Sequence, residues 1–328
     1  MNSQLEHKNI KGFELIKKSN NILLVTHHNP DGDGISSMCA MMGWLASTGK
    51  MVTSYCYDKP PEMLSYLPCT KKIQYGPAET TALKNFELFD LIIILDCGSI
   101  SRTKISHLLL NRGSNQKIIE IDHHPKIDDY ADLEIREPSA AATAELIYAF
   151  FKTNKVDIDR NLANELLTGI MTDTANFFYP STSTNTINIA ADLVLRGGRL
   201  PQITENTWRN KSLDGLKLWG EIMSNLQINP KYDIAFTVLT STARQSGAIS
   251  KDELDGISGF LSNLYGVKGV LFLQEELDGK IRGNLRTNHP KIDISRLARF
   301  LGGGGHPKAS GFSIKGKLSL TEKGWRVV

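Results

Sequence analysis

The chain has 328 residues, of which 41% are hydrophobic, enough apolar material for a large core and a length that favours two domains over one. Its 38 basic and 35 acidic residues leave a formal charge of +3, which excludes recognition of nucleic acid by bulk positive charge. No apolar run could span a bilayer and no N-terminal segment resembles a signal peptide, so we expect a soluble, cytoplasmic protein.

The cysteines argue against both a disulfide framework and a thiolate zinc site, because they include no Cys-x-x-Cys pair. We expect most of them to be core residues. The four are Cys39, Cys56, Cys69 and Cys97.

Apolar runs and helical periodicity alternate through the first half of the chain. After a loosely helical segment at 5–19, the runs that we interpret as buried parallel strands are residues 22–25, 52–57, 91–95 and 117–121. The segments with helical spacing are residues 35–45, 101–111, 144–150 and 161–171. This alternation predicts an α/β fold with a doubly wound, mostly parallel sheet, in which ligands bind at the carboxyl ends of the strands.

The loop after the first strand is rich in potential metal ligands. Residues 27–34 read His-His-Asn-Pro-Asp-Gly-Asp-Gly, so His27, Asp31 and Asp33 offer one imidazole and two carboxylates on a single turn. His28 is expected to be a bystander, because one turn does not usually aim adjacent imidazoles at one point. A plain Asx turn with a helix cap is the structural alternative.

Further acids and imidazoles follow the third and fourth strands. Asp96 comes directly after the third strand, and Asp122, His123 and His124 come directly after the fourth. Asp173 follows the helix at 161–171, where a capping role is the alternative. The topology of a parallel sheet would bring these groups to one edge.

Histidine and aspartate without cysteine suit two bridged hard-to-borderline metal ions, with Mn²⁺ the natural choice and Mg²⁺, Co²⁺ or Zn²⁺ the alternatives. Two such ions about 3.5–4 Å apart lower the pKa of a bridging water and clamp the oxygens of an in-line phosphoryl transfer. The implied reaction is the hydrolysis of a phosphate ester.

The pattern changes in the second half of the chain. We expect a first domain at 1–196, a connecting hinge at 197–212 and a smaller α/β domain at 213–328. Within the second domain we predict strands at 234–239, 266–274 and 280–286 and helices at 251–263 and 293–301.

Four consecutive glycines, 302–305, are followed by His306 and Lys308. Such a run does not favour regular structure, and its exposed N–H groups are suited to cradle an anion. A flexible linker is the alternative.

Together, these motifs resemble the DHH phosphoesterase family, whose name is spelled by residues 122–124. The agreement extends to the acidic loop after the first strand, to Asp96, to Thr172-Asp173-Thr174 and to residues 302–311, which match the DHH-associated substrate domain. The resemblance covers nearly the whole chain.

The resemblance implies a role for each site residue. One metal would take His27, Asp31 and Asp96, and the other Asp33, Asp96, His123 and Asp173, with Asp96 as the bridge. His124 would face the scissile phosphate, and Asp122 would orient an imidazole.

In the second domain, the resemblance implies that Arg286 binds a substrate phosphate, with Arg282 in reserve. The family often has lysine and serine at the positions of Arg282 and Asn284, which could alter substrate preference. The terminal phosphate or base of the substrate would be held by Gly303, Gly304, Gly305 and His306.

Compact two-domain members of the family hydrolyse short oligoribonucleotides to mononucleotides and remove the 3′-phosphate of adenosine 3′,5′-bisphosphate (pAp), and this chain has their length. A nearly neutral protein suits substrates of that size and not long duplexes. The alternatives are cleavage of cyclic dinucleotides or pApA, exopolyphosphatase or pyrophosphatase activity, RecJ-like exonuclease activity, and non-catalytic binding of nucleotide or RNA. The oligomeric state is open, with a homodimer among the alternatives.

Overall fold

The structure is a computed structural model, and it describes residues 3–241, 251–254, 256–276, 278–322 and 324–328. The chain separates into two compact units, Met1–Asn210 and Lys211–Val328. Across the described residues, no helix combines the length and the apolar character needed to cross a membrane.

The first unit is built on a six-stranded sheet. Its strands are β1 Asn21–Val25, β2 Met51–Cys56, β3 Gln74–Tyr75, β4 Leu91–Leu95, β5 Lys117–Asp122 and β6 Leu133–Arg136. They lie in the order β3-β2-β1-β4-β5-β6, and every neighbouring pair is parallel. The chain therefore winds outward in both directions from β1, which confirms the predicted doubly wound sheet.

Helices pack on both faces of this sheet. They are α1 Ser3–Lys18, α2 Gly32–Ser47, α3 Ser106–Leu110, α4 Thr143–Thr153, α5 Arg160–Asp173, α6 Thr184–Leu195 and α7 Leu200–Thr207. The central strand β4 is buried throughout: Ile93 belongs to the core cluster that contains α2, α4 and α5, and Ile92 belongs to the cluster on the other face, with Leu109 of α3. Burial on both faces explains why this strand is an unbroken apolar run.

Local capping and one close approach place the helices that serve the site. The Asp31 carboxylate accepts a hydrogen bond from the Gly34 N–H (3.1 Å) and begins α2, and the Asp159 carboxylate begins α5 by accepting from the Leu162 N–H (2.9 Å). A Cβ at Gly169 of α5 would lie 2.8 Å from the Ala144 Cβ, so glycine is what allows α5 to approach α4 this closely.

Several predicted boundaries in the first unit differ from the structure. The helix predicted at 101–111 is wrong: a 3₁₀ turn at Ile100–Thr103 is separated from α3 by Lys104, whose φ of 62° is left-handed. Strands β3 and β6 were not predicted. The expected hinge at 197–212 contains α7, whose Ile203 is fully buried in the core of the first unit.

The second unit is a smaller α/β domain, as predicted. Its main sheet contains β7 Gln227–Asn229, β8 Ile234–Leu239, β9 Gly269–Glu275, β10 Lys280–Arg286, β11 Gly304–His306 and β12 Ala309–Lys315, in the order β11-β12-β10-β9-β8-β7. The pair β8 and β9 is parallel, and the other neighbours are antiparallel. The remaining elements are α8 Leu213–Ser224, α9 Lys251–Leu254, α10 Ile257–Leu261, α11 Ser295–Phe300, β13 Leu318–Thr321 and β14 Gly324–Val327.

Two expectations for the second unit are corrected. Among the described residues of the helix predicted at 251–263, α9 and α10 are separate, and Gly256 has a φ of 89°; residue 255 lies outside the described part. The glycine run was expected to resist regular structure, but it enters edge strand β11. A Cβ at Gly303 would lie 2.1 Å from the Gly311 carbonyl oxygen, so the missing side chain permits this close pairing.

The core of the first unit generates a stability prediction. Leu166 of α5 is fully buried, so Leu166→Ala should lower the free energy of unfolding by about 2–5 kcal/mol through lost burial and a residual cavity. The matched control is Leu195→Ala in α6, where the side chain is 86% exposed and the expected change is within about 0.5 kcal/mol. Urea unfolding measures both, and equal losses would contradict the described packing.

Candidate functional site

The carboxyl edge of the parallel sheet gathers the predicted acids and imidazoles. His27 follows β1, Asp96 follows β4, and His123 follows β5. The N-terminus of α2 adds Asp31 and Asp33. We expected Asp173 to follow a helix, but it is the last residue of α5. All six residues predicted to bind metal therefore lie around one edge of the first unit.

The first cluster of donor atoms is centred on a buried imidazole. His27 Nε2 lies 3.6 Å from Asp31 Oδ2 and 3.8 Å from Asp96 Oδ2, and one donor atom from each residue lies within 4.8 Å of the others. His27 Nδ1 donates to the His28 carbonyl oxygen (2.8 Å), which leaves the lone pair on Nε2. Nε2 is buried and has no hydrogen-bond partner among the described residues. Buried polar atoms normally have a partner, so this nitrogen lone pair is well placed to bind a cation.

A second cluster lies on the other side of Asp96. His123 Nε2 is 3.5 Å from Asp96 Oδ1 and 3.4 Å from Asp173 Oδ2, and Asp33, Asp96 and His123 each offer a donor atom within 4.8 Å of the others. His123 Nδ1 donates to the Ala140 carbonyl oxygen (3.1 Å), which again assigns the lone pair to Nε2. The two carboxylate oxygens of Asp96 thus face different clusters.

The N-terminus of α4 holds two buried carboxylates, those of Asp33 and Asp96. The Thr143 N–H donates to Asp33 Oδ2 (2.6 Å), and the Ala144 N–H donates to Asp33 Oδ1 (3.0 Å). The Thr143 hydroxyl donates to Asp96 Oδ1 (2.9 Å). The backbone at Asp96 is left-handed, with a φ of 58°, an uncommon conformation for a residue other than glycine and one that is often found at functional sites.

Burial and mutual repulsion disfavour negative charge on these carboxylates. Burial raises the pKa of Asp33 to about 6, and the His123 imidazole opposes that shift. Burial also raises the pKa of Asp96 well above its usual range, and the negative charges of Asp33 and Asp31 raise it further. A cation among these groups would reverse both effects, because it favours the ionised form of every carboxylate around it.

Asp122 and His124 form a hydrogen-bonded pair beside the second cluster. Asp122 Oδ1 accepts from the backbone N–H and from Nδ1–H of His124, both at 2.8 Å, and Oδ2 accepts from the Gly98 N–H at 2.5 Å. Burial opposes ionisation of Asp122, but His124 and Arg136 outweigh it, so the pKa lies below its usual range. Burial lowers the pKa of His124, and Asp122 acts against that shift.

Our sequence analysis missed the groups that support the site. Thr143 and Ala144 hold Asp33 through backbone N–H groups, which every residue type except proline carries, and Thr143 also uses its hydroxyl. In the sequence, only the start of the helix at 144–150 indicated their position. Arg136 lies 2.7 Å from Glu120 and 3.6 Å from Asp122, in a strand that we had not predicted. The bystander His28 uses its N–H and its Nδ1 on the Arg102 carbonyl oxygen, at 2.7 and 3.0 Å.

The second unit places the two predicted arginines on one face of β10. Arg282 and Arg286 are separated by an even number of positions, so their side chains project from the same face, with Asn284 between them. Their cross-strand neighbours on β12 are all small, namely Ser313, Gly311 and Ala309. The Arg286 Nε is buried without a hydrogen-bond partner in the described part of the chain.

The other predicted substrate residues lie at the edge of the same sheet. Gly304, Gly305 and His306 form β11, and no strand of the described residues pairs with its outer side. Gly303 directly precedes this strand. Lys308, by contrast, is a structural residue: its ammonium donates to the carbonyl oxygens of His289, Pro290 and Ile292.

Comparison with known proteins gives two family matches. Residues 21–170 match the model of the DHH family, N-terminal domain, and residues 235–323 match the model of the DHHA1 domain. Each match falls within one of the two units.

Curated relatives and a solved structure agree with these matches. A protein from Bacillus subtilis named bifunctional oligoribonuclease and PAP phosphatase NrnA is 27% identical over 89% of this chain and 89% of its own length. A protein of the same name from Thermus thermophilus is 28% identical over 94% of this chain and 88% of its own. The crystal structure of an exopolyphosphatase-related protein from Bacteroides fragilis has a TM-score of 0.86 and 27% identity, covering 95% of this chain and 92% of the other.

DHH phosphoesterases depend on metal ions, and the clusters of acids and imidazoles at the sheet edge are of the type that holds them. The protein is accordingly a hydrolase of this class, and the chain belongs to the DHH family of phosphoesterases, with a DHHA1 domain in its second unit.

Proposed function

We propose that this protein hydrolyses short oligoribonucleotides to mononucleotides and removes the 3′-phosphate of pAp, using two divalent metal ions. The observation that carries the proposal is the Asp96 carboxylate, whose two oxygens face two separate clusters of imidazole and carboxylate donors. A shared carboxylate between two clusters is the arrangement expected of a two-ion phosphoesterase. The names of the Bacillus and Thermus relatives support the choice of substrates.

The residues present fit a pair of ions. The unpartnered Nε2 of His27 and the raised pKa values of Asp33 and Asp96 all favour a cation. Nitrogen and oxygen donors without thiolate suit Mn²⁺, with Mg²⁺, Co²⁺ or Zn²⁺ as alternatives. Such a pair supplies an activated water and positive charge for the phosphoryl oxygens. The first ion would be held by His27, Asp31 and Asp96, and the second by Asp33, Asp96, His123 and Asp173.

His124 is the residue that we assign to the scissile phosphate. Asp122 accepts its Nδ1–H and so fixes the orientation of the ring. A bound phosphate would raise the pKa of His124, because a negative charge favours the imidazolium. The protonated ring can then donate a hydrogen bond to a phosphoryl oxygen or give a proton to the leaving group.

The second unit would bind the rest of the substrate. Arg286 carries a guanidinium with a buried, unpartnered Nε on a strand face flanked by small residues, which suits a phosphate. Arg282 lies on the same face, and the outer edge of the strand formed by Gly304, Gly305 and His306 would offer further donors. The Gly303 N–H already donates to the Ala298 carbonyl oxygen (2.8 Å), so this residue would contribute through its lack of a side chain. With a formal charge of only +3, the chain suits substrates of a few nucleotides and not long duplexes.

An exopolyphosphatase activity is the second candidate, because the Bacteroides fragilis structure is named exopolyphosphatase-related. Cleavage of pApA or cyclic dinucleotides, RecJ-like exonuclease activity and non-catalytic binding of nucleotide or RNA are the remaining alternatives. The catalytic alternatives differ in the substrate that is hydrolysed, and non-catalytic binding hydrolyses none, so a comparison of turnover separates them.

A turnover panel tests the substrate assignment. With Mn²⁺ present, we expect pAp and di- to pentaribonucleotides to be hydrolysed with a higher kcat/KM than pApA, cyclic di-AMP, polyphosphate or pyrophosphate. Arg286→Ala should raise the KM for pAp about 10- to 100-fold, since a charge-assisted phosphate contact is lost. The control Arg326→Ala should not change it. Polyphosphate as the fastest substrate would replace the proposed function with the second candidate.

Asp96→Asn tests the bridging role. Losing the shared negative charge should lower kcat by more than ~100-fold. That loss exceeds the decrease in activity typical of removing a residue that only orients a metal ligand. The number of bound Mn²⁺ ions, measured by calorimetry, should fall from two. Asp129→Asn, at a side chain 87% exposed, is the control. Full activity with two bound ions would refute the bridge.

Thr143 provides a test of the positioning network. Thr143→Val removes the hydroxyl that holds Asp96 but keeps the backbone N–H that holds Asp33, so Mn²⁺ affinity or kcat should fall about 10- to 100-fold. Thr143→Ser keeps the hydroxyl and should restore most of the loss. If both variants behave alike, the hydrogen bond to Asp96 has no part in the site.

A further inference from the structure

A cavity of about 330 Å³ lies between the C-terminal part of α2 and the N-terminal part of α5. Trp44 and Ser47 of α2 line one side, and Glu165 of α5 lines another. Trp44 is eleven positions beyond Asp33, which is about 16 Å along a helix at 1.5 Å per residue. The cavity is therefore distinct from the metal ligands at the opposite ends of the same two helices.

The deepest polar group in this cavity is a carboxyl group without a partner. Glu165 is 1% exposed, and its Oε2 has no hydrogen-bond partner among the described residues. A Cβ at Gly43 would lie 3.7 Å from Oε2, so the glycine leaves space in front of the carboxyl group. Burial raises the pKa of Glu165 to about 8, and the negative charge of Asp159 adds to that effect. A buried group of this kind is costly unless a ligand completes it.

The charges around the cavity are negative. Asp157 and Asp159 are exposed lining residues, and none of the lining side chains, all of them within the described chain, is basic. The C-terminal end of α2 carries partial negative charge and has no basic residue in its last turn. The N-terminus of α5 opposes a cation, but the Asp159 carboxylate caps it.

We propose that this cavity binds a linear aliphatic diamine or polyamine, with one ammonium group on the Glu165 carboxylate and a second at Asp157 and Asp159. The spacing of the acids favours an extended organic cation over a metal ion. Among the described residues, no set of three potential metal-ligand atoms within 4.8 Å of one another includes Glu165. Cys69 is a poor metal ligand here, because burial raises the pKa of its thiol.

Calorimetry on the full chain tests this site, with cadaverine and spermidine as probes and saturating Mn²⁺ present to occupy the acidic metal centre. We expect saturable binding of one probe molecule per chain. Glu165→Gln should weaken it at least about tenfold, because the amide has no charge to pair with the ammonium. Asp157→Asn, at an exposed residue where folding is not at risk, should weaken it about threefold. The charge-matched control Glu87→Gln, at an exposed site outside the cavity, should leave affinity unchanged.

The pH dependence provides a second readout. Glu165 holds a proton below about pH 8, so binding of an ammonium group must release it, and affinity should rise up to about tenfold per pH unit from pH 6 to pH 8 and then level off. The other titratable groups around Glu165 are the acids Asp157 and Asp159, the buried thiol of Cys39 and the half-buried thiol of Cys69, with Lys72 near Cys69. Glu165→Gln should abolish the slope.

Three results would overturn the proposal. The first is the absence of saturable binding of either probe up to millimolar concentration. The second is unchanged affinity in both Glu165→Gln and Asp157→Asn. The third is binding that survives Glu165→Gln but is lost in Asp33→Asn, which would place the probe at the metal centre.

Discussion

The Asp96 carboxylate imposes the constraint on which the first unit depends. It is 2% exposed and has Asp31, Asp33, Asp122 and Asp173 as charged neighbours, so negative charge accumulates where water cannot screen it. Such a group must either keep a proton or face positive charge. The surrounding elements provide the rest of the site. The buried strand β4 positions the Asp96 carboxylate, the N-terminus of α4 supplies hydrogen-bond donors, and hydrogen bonds hold the imidazoles in one tautomer.

The antiparallel pair α2 and α5 carries two buried acidic sites, one at each end. The end near the proposed metal centre contributes Asp33 and Asp173, and Glu165 lies nearer to the other end. Isolated buried carboxyl groups lower the stability of a fold, and here they are tolerated because the same helices bury a large apolar surface around residues such as Leu166 and Met38. The helix pair thus combines extensive apolar packing with buried acids.

Sequence patterns predicted the parts of the structure that depend on strand burial. The fully apolar run of β4 and the acid directly after it were sufficient to place Asp96 at the sheet edge, because parallel strands align their carboxyl ends. Strand β6 was not predictable in this way: its four residues alternate between buried and half-buried positions and include two charged side chains. The helix predicted at 101–111 failed because Lys104 adopts a left-handed backbone that its residue type does not signal. The roles of individual ligands came from family resemblance and not from spacing, and they remain predictions.

The glycine run contains one position that differs from its neighbours. A side chain at Gly303 or Gly305 would collide with the backbone of β12, whereas a Cβ at Gly304 would have no atom of the described residues within 4 Å. The φ of Gly304 is also not in the left-handed region. Gly304 is therefore the position where a cysteine could carry a spin label or a fluorophore without disrupting the pairing of β11 with β12. Such a label would report on a ligand bound beside the edge strand.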